Sequence, residues 1–267
     1  MATRVITGLV LAAVVILLIF FLPPLPLKLV IAGIGALAIH ECARMILPPH
    51  PTTSMAFPVI AGTLYLAFLM LGQPHLPAFT IGTPVVLVAT LVFYLFRRHV
   101  NEVVLSQVTA TFFSILYAGL MLSFLGLIRD LPSGASWLLL VLASTFGADT
   151  GAYLVGRTIG KHKLAPHVSP GKTIEGLIGG TGLSVVAALI TRLLIPGDLS
   201  VGDCVWVGLA VGFIGPLGDL SESMLKRSVG VKDSGNLIPG HGGLLDRIDA
   251  LLFTAPFVYY YASYLRG

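Results

Sequence analysis

Apolar runs of about 20 residues recur along this chain, each bounded by charge, proline or glycine, and that is the length an α-helix needs to cross a bilayer. Nine such segments are read, at 5–22, 26–47, 55–72, 78–96, 103–128, 136–156, 173–195, 203–225 and 245–265. Inside hydrocarbon, backbone polar groups must be satisfied within the segment, so the pattern predicts an all-α polytopic integral membrane protein of about nine transmembrane helices. Composition agrees, since 56% of the 267 residues are hydrophobic and 10% are charged, against roughly 25% charged in a soluble domain. This balance excludes a soluble enzyme, a disordered chain and a secreted disulfide scaffold, and the spans leave no room for a soluble domain.

Two segments need separate argument. Arg4 precedes the first run as in a signal peptide, but the run leads into Pro23-Pro24-Leu25-Pro26 without a small-residue cleavage site, so it reads as a retained anchor. The second follows those prolines and contains His40, Glu41 and Arg44, which leaves a re-entrant or tilted helix as an alternative to a full span. Cys42 and Cys204 fall near opposite membrane faces and are expected to be unpaired, buried side chains.

The basic residues test the count of spans independently. With nine, alternate ends collect Arg4, Arg44, Arg97, Arg98, Arg157, Lys161, Lys163, Lys172, Lys226, Arg227, Lys232 and Arg247, leaving Lys28, Arg129, Arg192 and Arg266 on the other face. The positive-inside rule then puts the N-terminus in the cytoplasm and the C-terminus outside. A basic cytoplasmic face suits anionic headgroups, and no nucleic-acid motif accompanies it, so no nucleic-acid partner is expected.

Acids are distributed unevenly. Residues 1–148 hold Glu41, Glu102 and Asp130, whereas nine of the twelve follow. Asp149, Glu175, Asp219, Glu222, Asp246 and Asp249 lie inside apolar segments or at their cytoplasmic ends, where an ionisable group is costly and function is the default reading. The chain therefore divides into N-terminal helices (1–100), a middle region (101–135) and a catalytic region (136–267).

The densest cluster runs from Gly218 to Asp249. Asp219, Ser223, Lys226 and Arg227 follow i, i+4, i+7, i+8 spacing and share a helix face that suits a metal-bound anion. Lys232 and Asp233 occupy the next loop, and Pro239-Gly240-His241-Gly242-Gly243 leads into the ninth segment. Glycines let the main chain approach a phosphate and open a helix N-terminus towards it. Asp246 and Asp249 are i, i+3 neighbours flanking Arg247, and would hold a polyphosphate only with a divalent cation between them.

A second anion site is expected upstream, where Ser169 as N-cap and Pro170 at the first helical position predict a helix start beside Lys172. Gly171-Lys172-Thr173 is not a P-loop, because Pro166 stands where the first glycine belongs. His40-Glu41 likewise fails as a zinc motif, with Arg44 in place of the second histidine.

Ser223-x-x-Lys226-Arg227-x4-Lys232-Asp233-x5-Pro239-x-His241-Gly242-Gly243-x-x-Asp246-Arg247-x-Asp249 resembles, without a gap, the signature of the phosphatidate cytidylyltransferases (CDP-diacylglycerol synthases). Asp149-Thr150-Gly151-Ala152-Tyr153 and Ser169-Pro170-x-Lys172-Thr173-x-Glu175-Gly176 are similar to the same family, so the likeness covers about residues 140–255. It implies a multi-pass enzyme of the cell inner (plasma) membrane, active site towards the cytoplasm, joining CTP to phosphatidate with Mg2+. A second cation in the same site is an open alternative, and a homodimer is what the family suggests. On this reading Asp219 and Asp246 hold metal, with Asp249 a further ligand or an acid behind them, Ser223 lies on the metal face, and Lys226 and Arg227 bind phosphate. The glycines around His241, Gly242 and Gly243 among them, form the floor under the triphosphate, and His241 is a catalytic candidate or, equally, a donor that stabilises the loop. Lys172 and Ser169 hold a second phosphate, Lys232 and Arg247 add positive charge, and Asp149 and Tyr153 line the same cavity. An ion-coupled transporter fits less well, because the acids gather at cytoplasmic ends and no internal repeat is seen. An intramembrane aspartyl protease lacks its motif at Pro216-Leu217-Gly218-Asp219, whereas a CTP-dependent lipid kinase would share the nucleotide chemistry.

Overall fold

The computed structural model describes residues 13–49, 53–72, 75–97, 102–195, 198–237 and 242–266. Each of the nine apolar segments carries helix among these residues: α1 (13–21), α2 (Pro24–Ile46), α3 (Ala56–Leu71), α4 (His75–Leu95), a rod made of α5 (Val104–Ser114) and α6 (Met121–Asp130), α7 (Gly134–Ile159), α8 (Ile174–Leu194), α9 (Val201–Ser228) and α10 (Leu245–Tyr260). A π-helical stretch, Ile115–Leu120, joins α5 to α6, and another, Tyr261–Leu265, extends α10. Six of the described helices are long and apolar enough to cross a membrane, starting at Pro24, Ala78, Val104, Gly134, Ile174 and Val201. The chain is an all-α integral membrane protein with multiple membrane-spanning helices.

The second segment forms one uninterrupted helix. Pro24 and Pro26 lie in the first turn of α2, where a missing N–H breaks no helical hydrogen bond. Lys28 is buried, paired with Asp130 at 2.5 Å and donating to the Met70 carbonyl at 2.7 Å, so the early charge in α2 is neutralised by α6 and α3. Cys42 and Cys204 are free and buried, as expected.

The helix start at Ser169 is a correction. Ser169–Thr173 is a strand, β2, paired antiparallel with β1 (Lys163–Ala165), with Lys163 opposite Thr173 and Ala165 opposite Ser169. Helix α8 begins at Ile174, and Thr173 is its N-cap, the hydroxyl accepting from Gly176 N–H at 3.1 Å. The local Ser-Pro signal loses to a second cap four residues on, because hairpin pairing satisfies the intervening backbone. Glu175 fixes the arrangement by accepting the N–H groups of Lys161 (3.0 Å) and His162 (3.2 Å) and pairing with the His162 ring at 2.5 Å.

Helices α7 to α10 form the bundle that builds the site, with α7 against α8 the most extensive packing in the molecule. Small residues let these backbones approach closely, the usual solution where lipid gives no hydrophobic drive between helices. At Gly151 a Cβ would sit 2.7 Å from the Gly179 carbonyl and 3.0 Å from Gly180 Cα, atoms that cannot swing away. Gly151→Leu is accordingly expected to cost about 3 kcal/mol through overpacking. Thermal unfolding in detergent reads this as a clear fall in Tm relative to Gly182→Leu, since a Cβ at Gly182 meets nothing within 4 Å.

Candidate active site

The polar groups singled out in the sequence meet where the hairpin, the starts of α8 and α10 and the far ends of α2 and α9 come together. Two networks and one isolated carboxylate occupy this region.

The first network is accessible. Lys172, at the end of β2, pairs with Asp219 on α9 at 2.6 Å, both side chains retaining partial exposure. Ser223 donates to Asp219 Oδ1 at 3.3 Å one turn along, as helical spacing requires. Asp149 from α7 and Asp249 from α10 lie within electrostatic range of Asp219 and Lys172. Asp149 is exposed and Asp249 half-buried, so this group of acids is accessible in part. Gly218 makes this convergence possible: a Cβ there would lie 2.6 Å from the Asp249 carbonyl and 3.1 Å from Ala250 Cα. Its hydrogen lets α9 and α10 touch where each presents a carboxylate.

The second network is closed. Lys226 lies between Glu222 (2.6 Å) and Asp246 (2.5 Å), and all three side chains are at most 10% exposed. Asp246 Oδ2 also accepts from Ser234 N–H (3.0 Å), Ser234 Oγ (3.0 Å) and Gly243 N–H (2.8 Å). Both oxygens of Asp246 therefore have protein donors, and the Gly243 N–H points at a carboxylate of its own chain. Gly242, at φ 81°, adopts the left-handed backbone that glycine takes without penalty, turning the loop into α10.

The remaining expected residues fall around these networks. Arg227 is exposed and donates to the Val231 carbonyl at 3.1 Å, so it does not share the buried environment of Lys226. Lys232 and Arg247 are exposed, and Arg247 lies within electrostatic range of Asp149. Tyr153, 61% exposed, accepts from Arg157 at 2.6 Å and is not hydrogen-bonded to Asp149. Ser169 lies in β2, four residues before the true cap. His241 lies outside the described residues. No three His, Cys, Asp or Glu side chains stand ready at metal-coordination distance among the described residues.

Glu222 and Glu41, to which sequence reasoning gave no role, also belong to this region. Glu222 is fully buried and pairs with Lys226. Glu41, on α2, is 7% exposed and accepts the Leu245 N–H at 2.8 Å, at the first residue of α10. The available signal was its position as the sole acid within an apolar run in the first 100 residues.

Comparison with known proteins identifies the family. A family model described as the cytidylyltransferase family matches residues 2–265. The chain is 33% identical over 265 residues to the phosphatidate cytidylyltransferase of Bacillus subtilis, covering 97% of both chains. It is also 47% identical over 137 residues to the phosphatidate cytidylyltransferase of Haemophilus influenzae, spanning 50% of this chain and 48% of that one. Over 135 residues it is 47% identical to the uncharacterized protein YnbB of Escherichia coli, spanning 51% and 45% of the two chains. The last two matches thus take in about half of each relative, whereas the first is end to end. With a family match from residue 2 to residue 265 and an end-to-end relative, the chain belongs to the cytidylyltransferase family.

Proposed function

We propose that this protein transfers CMP from CTP to phosphatidate at the group formed by Asp149, Lys172, Asp219 and Asp249, giving CDP-diacylglycerol and pyrophosphate. It is a CTP:phosphatidate cytidylyltransferase of phospholipid biosynthesis, and the observation that carries the placement is the Lys172–Asp219 pair, a lysine of β2 and a carboxylate of α9 held 2.6 Å apart and both partly exposed.

The chemistry requires little from a proton acceptor. A phosphate monoester is already an anion at neutral pH, so its oxygen attacks the α-phosphorus of CTP directly. The new P–O bond forms as the bond from the α-phosphorus to the bridging oxygen breaks, and pyrophosphate leaves with that electron pair. The barrier is repulsion between two polyanions, so catalysis is positioning and electrostatics. Lys172 binds a phosphate oxygen, while exposed Lys232, Arg227 and Arg247 draw the anions to this end of the bundle. Buried Lys226, held by Glu222 and Asp246, sets the position of the loop and of α10.

The residues present fit Mg2+. Three carboxylates, Asp149, Asp219 and Asp249, face Lys172 and Arg247 as the nearby cations, which leaves a net negative charge and hard oxygen donors of the kind this ion takes. Asp219 and Asp249 would hold it, with Asp149 beside them. Asp246, the other expected ligand, accepts from Lys226, Ser234 and Gly243 and so also organises the loop into α10. When bound, the ion neutralises phosphate charge next to the reacting phosphorus.

The positive-inside bias supports nine spans with this end of the bundle in the cytoplasm, where CTP is found. The test uses purified protein in detergent with CTP, Mg2+ and phosphatidate. A CDP-lipid and pyrophosphate are expected; release of CDP with a newly phosphorylated lipid would identify a CTP-dependent kinase instead.

A further inference from the structure

The mechanism above leaves Glu41 unused. One of its oxygens, Oε2, caps Leu245 N–H at 2.8 Å, whereas Oε1 is buried with no hydrogen-bond donor among the described residues. A buried carboxylate oxygen without a donor is expensive, and natural sites keep one where a ligand or water supplies the missing hydrogen. The backbone is thin around this group. A Cβ at Gly235 would lie 2.6 Å from Oε1, and one at Gly243 would lie 2.7 Å from Oε2, so glycine lets two loop segments close on one carboxylate.

Glu41 also lines a cavity of about 470 Å3 between the end of α2 and the loop after α9. His40, Arg44, Asp233 and Asn236 supply further polar groups to its wall, and Leu37 and Met45 supply apolar surface. This volume and mixture suit a nucleotide-sized ligand. Ser234 belongs both to the cavity wall and to the Asp246 network, and Asp249 stands one helical turn from Asp246. The cavity and the catalytic acids are thus linked through Ser234, Asp246 and the first turns of α10.

We propose that this cavity receives the base of the nucleotide, and that Glu41 Oε1 accepts a hydrogen bond from the exocyclic amino group of cytosine. The inference rests on the cytidylyltransferase reading and adds the residue that selects the base. Carboxylates accept from the cytosine amino group in known recognition chemistry. Uracil presents a carbonyl at the same ring position, which would face the carboxylate with no hydrogen between them, so UTP is rejected by the same atom. His40, Arg44 and Asn236 are the donors available to the ring nitrogen and carbonyl of cytosine.

The test compares kcat/KM for CTP and for UTP, with phosphatidate as acceptor, in the full-length protein and in Glu41→Gln. The glutamine keeps an oxygen for Leu245 N–H and places an amino group where Oε1 was. The expected result is a CTP-to-UTP preference reduced at least tenfold. An equal loss with both nucleotides would show that Glu41 only anchors α10, and would overturn the proposal. A second variant, Asn236→Trp, fills the cavity from an exposed loop position. It is expected to raise KM for CTP at least tenfold and leave KM for phosphatidate unchanged; an unchanged KM for CTP would overturn the proposal independently of how Glu41→Gln folds. Wild-type protein that forms no nucleotidyl-lipid from any nucleotide would overturn the underlying activity and this inference with it, an outcome separate from a wild-type enzyme whose base preference ignores Glu41.

Discussion

Lys226→Met is expected to abolish transfer and to cost about 3–5 kcal/mol of stability, because it removes the cation paired with both Glu222 and Asp246, whose side chains are at most 9% exposed. Breaking one member of a buried charged set leaves the partners uncompensated, and that penalty exceeds what the intact set contributes. Asp246 would at the same time lose the contact that holds it against Ser234 and Gly243, so the loop into α10 loosens. A lower Tm in detergent together with loss of CDP-lipid formation checks both consequences. Glu222→Gln in the Lys226→Met background is expected to recover part of the Tm and none of the activity. Recovery of neither would show that charge burial is not the cause.

Lys172→Met is expected to behave in the opposite way, with activity lower by a factor of about 100 or more and Tm nearly unchanged. Its pair with Asp219 is partly exposed, at 24% and 35% side-chain accessibility, and such pairs contribute about 0–1 kcal/mol. Removing a phosphate contact in a reaction dominated by charge neutralisation costs about 2.7–4 kcal/mol of barrier, by analogy with single oxyanion donors. The two lysines thus separate structure from chemistry: one is enclosed by Glu222 and Asp246, the other is partly exposed beside Asp219. Activity and Tm falling together in Lys172→Met would contradict that division.

Much of this arrangement was legible in the chain. Apolar length locates the helices, since each must bury or immerse about 20 residues whatever its neighbours do. The spacing of Asp219 and Ser223 predicted a shared face, and the two side chains are in contact. Local signals failed where tertiary pairing competed. Ser169-Pro170 has the form of a helix start, yet β1 pairs with that stretch and Thr173 caps α8 instead. Lys226 and Arg227 are adjacent in sequence and shared one assignment, but 100° of helical rotation buries the first among acids and leaves the second exposed. The position of Glu41 in an apolar run marks it, but its contact was beyond reach, because its partner Leu245 is 204 residues away and only the packing of α2 against α10 brings them together.

The account stands on Asp219 and Asp249 acting in this partly accessible group of acids, and the most direct measurement is the single-turnover rate of CMP transfer to phosphatidate from CTP labelled at the α-phosphorus. Asp219→Asn and Asp249→Asn, isosteric changes that remove one charge each, are compared in Mg2+ with wild type and with Asp203→Asn, which alters a carboxylate at the opposite end of α9. The account predicts label in the lipid for wild type and Asp203→Asn, and rates at least a thousandfold lower for the other two variants, with all four proteins folded. Transfer at near wild-type rate by Asp219→Asn and Asp249→Asn would contradict it.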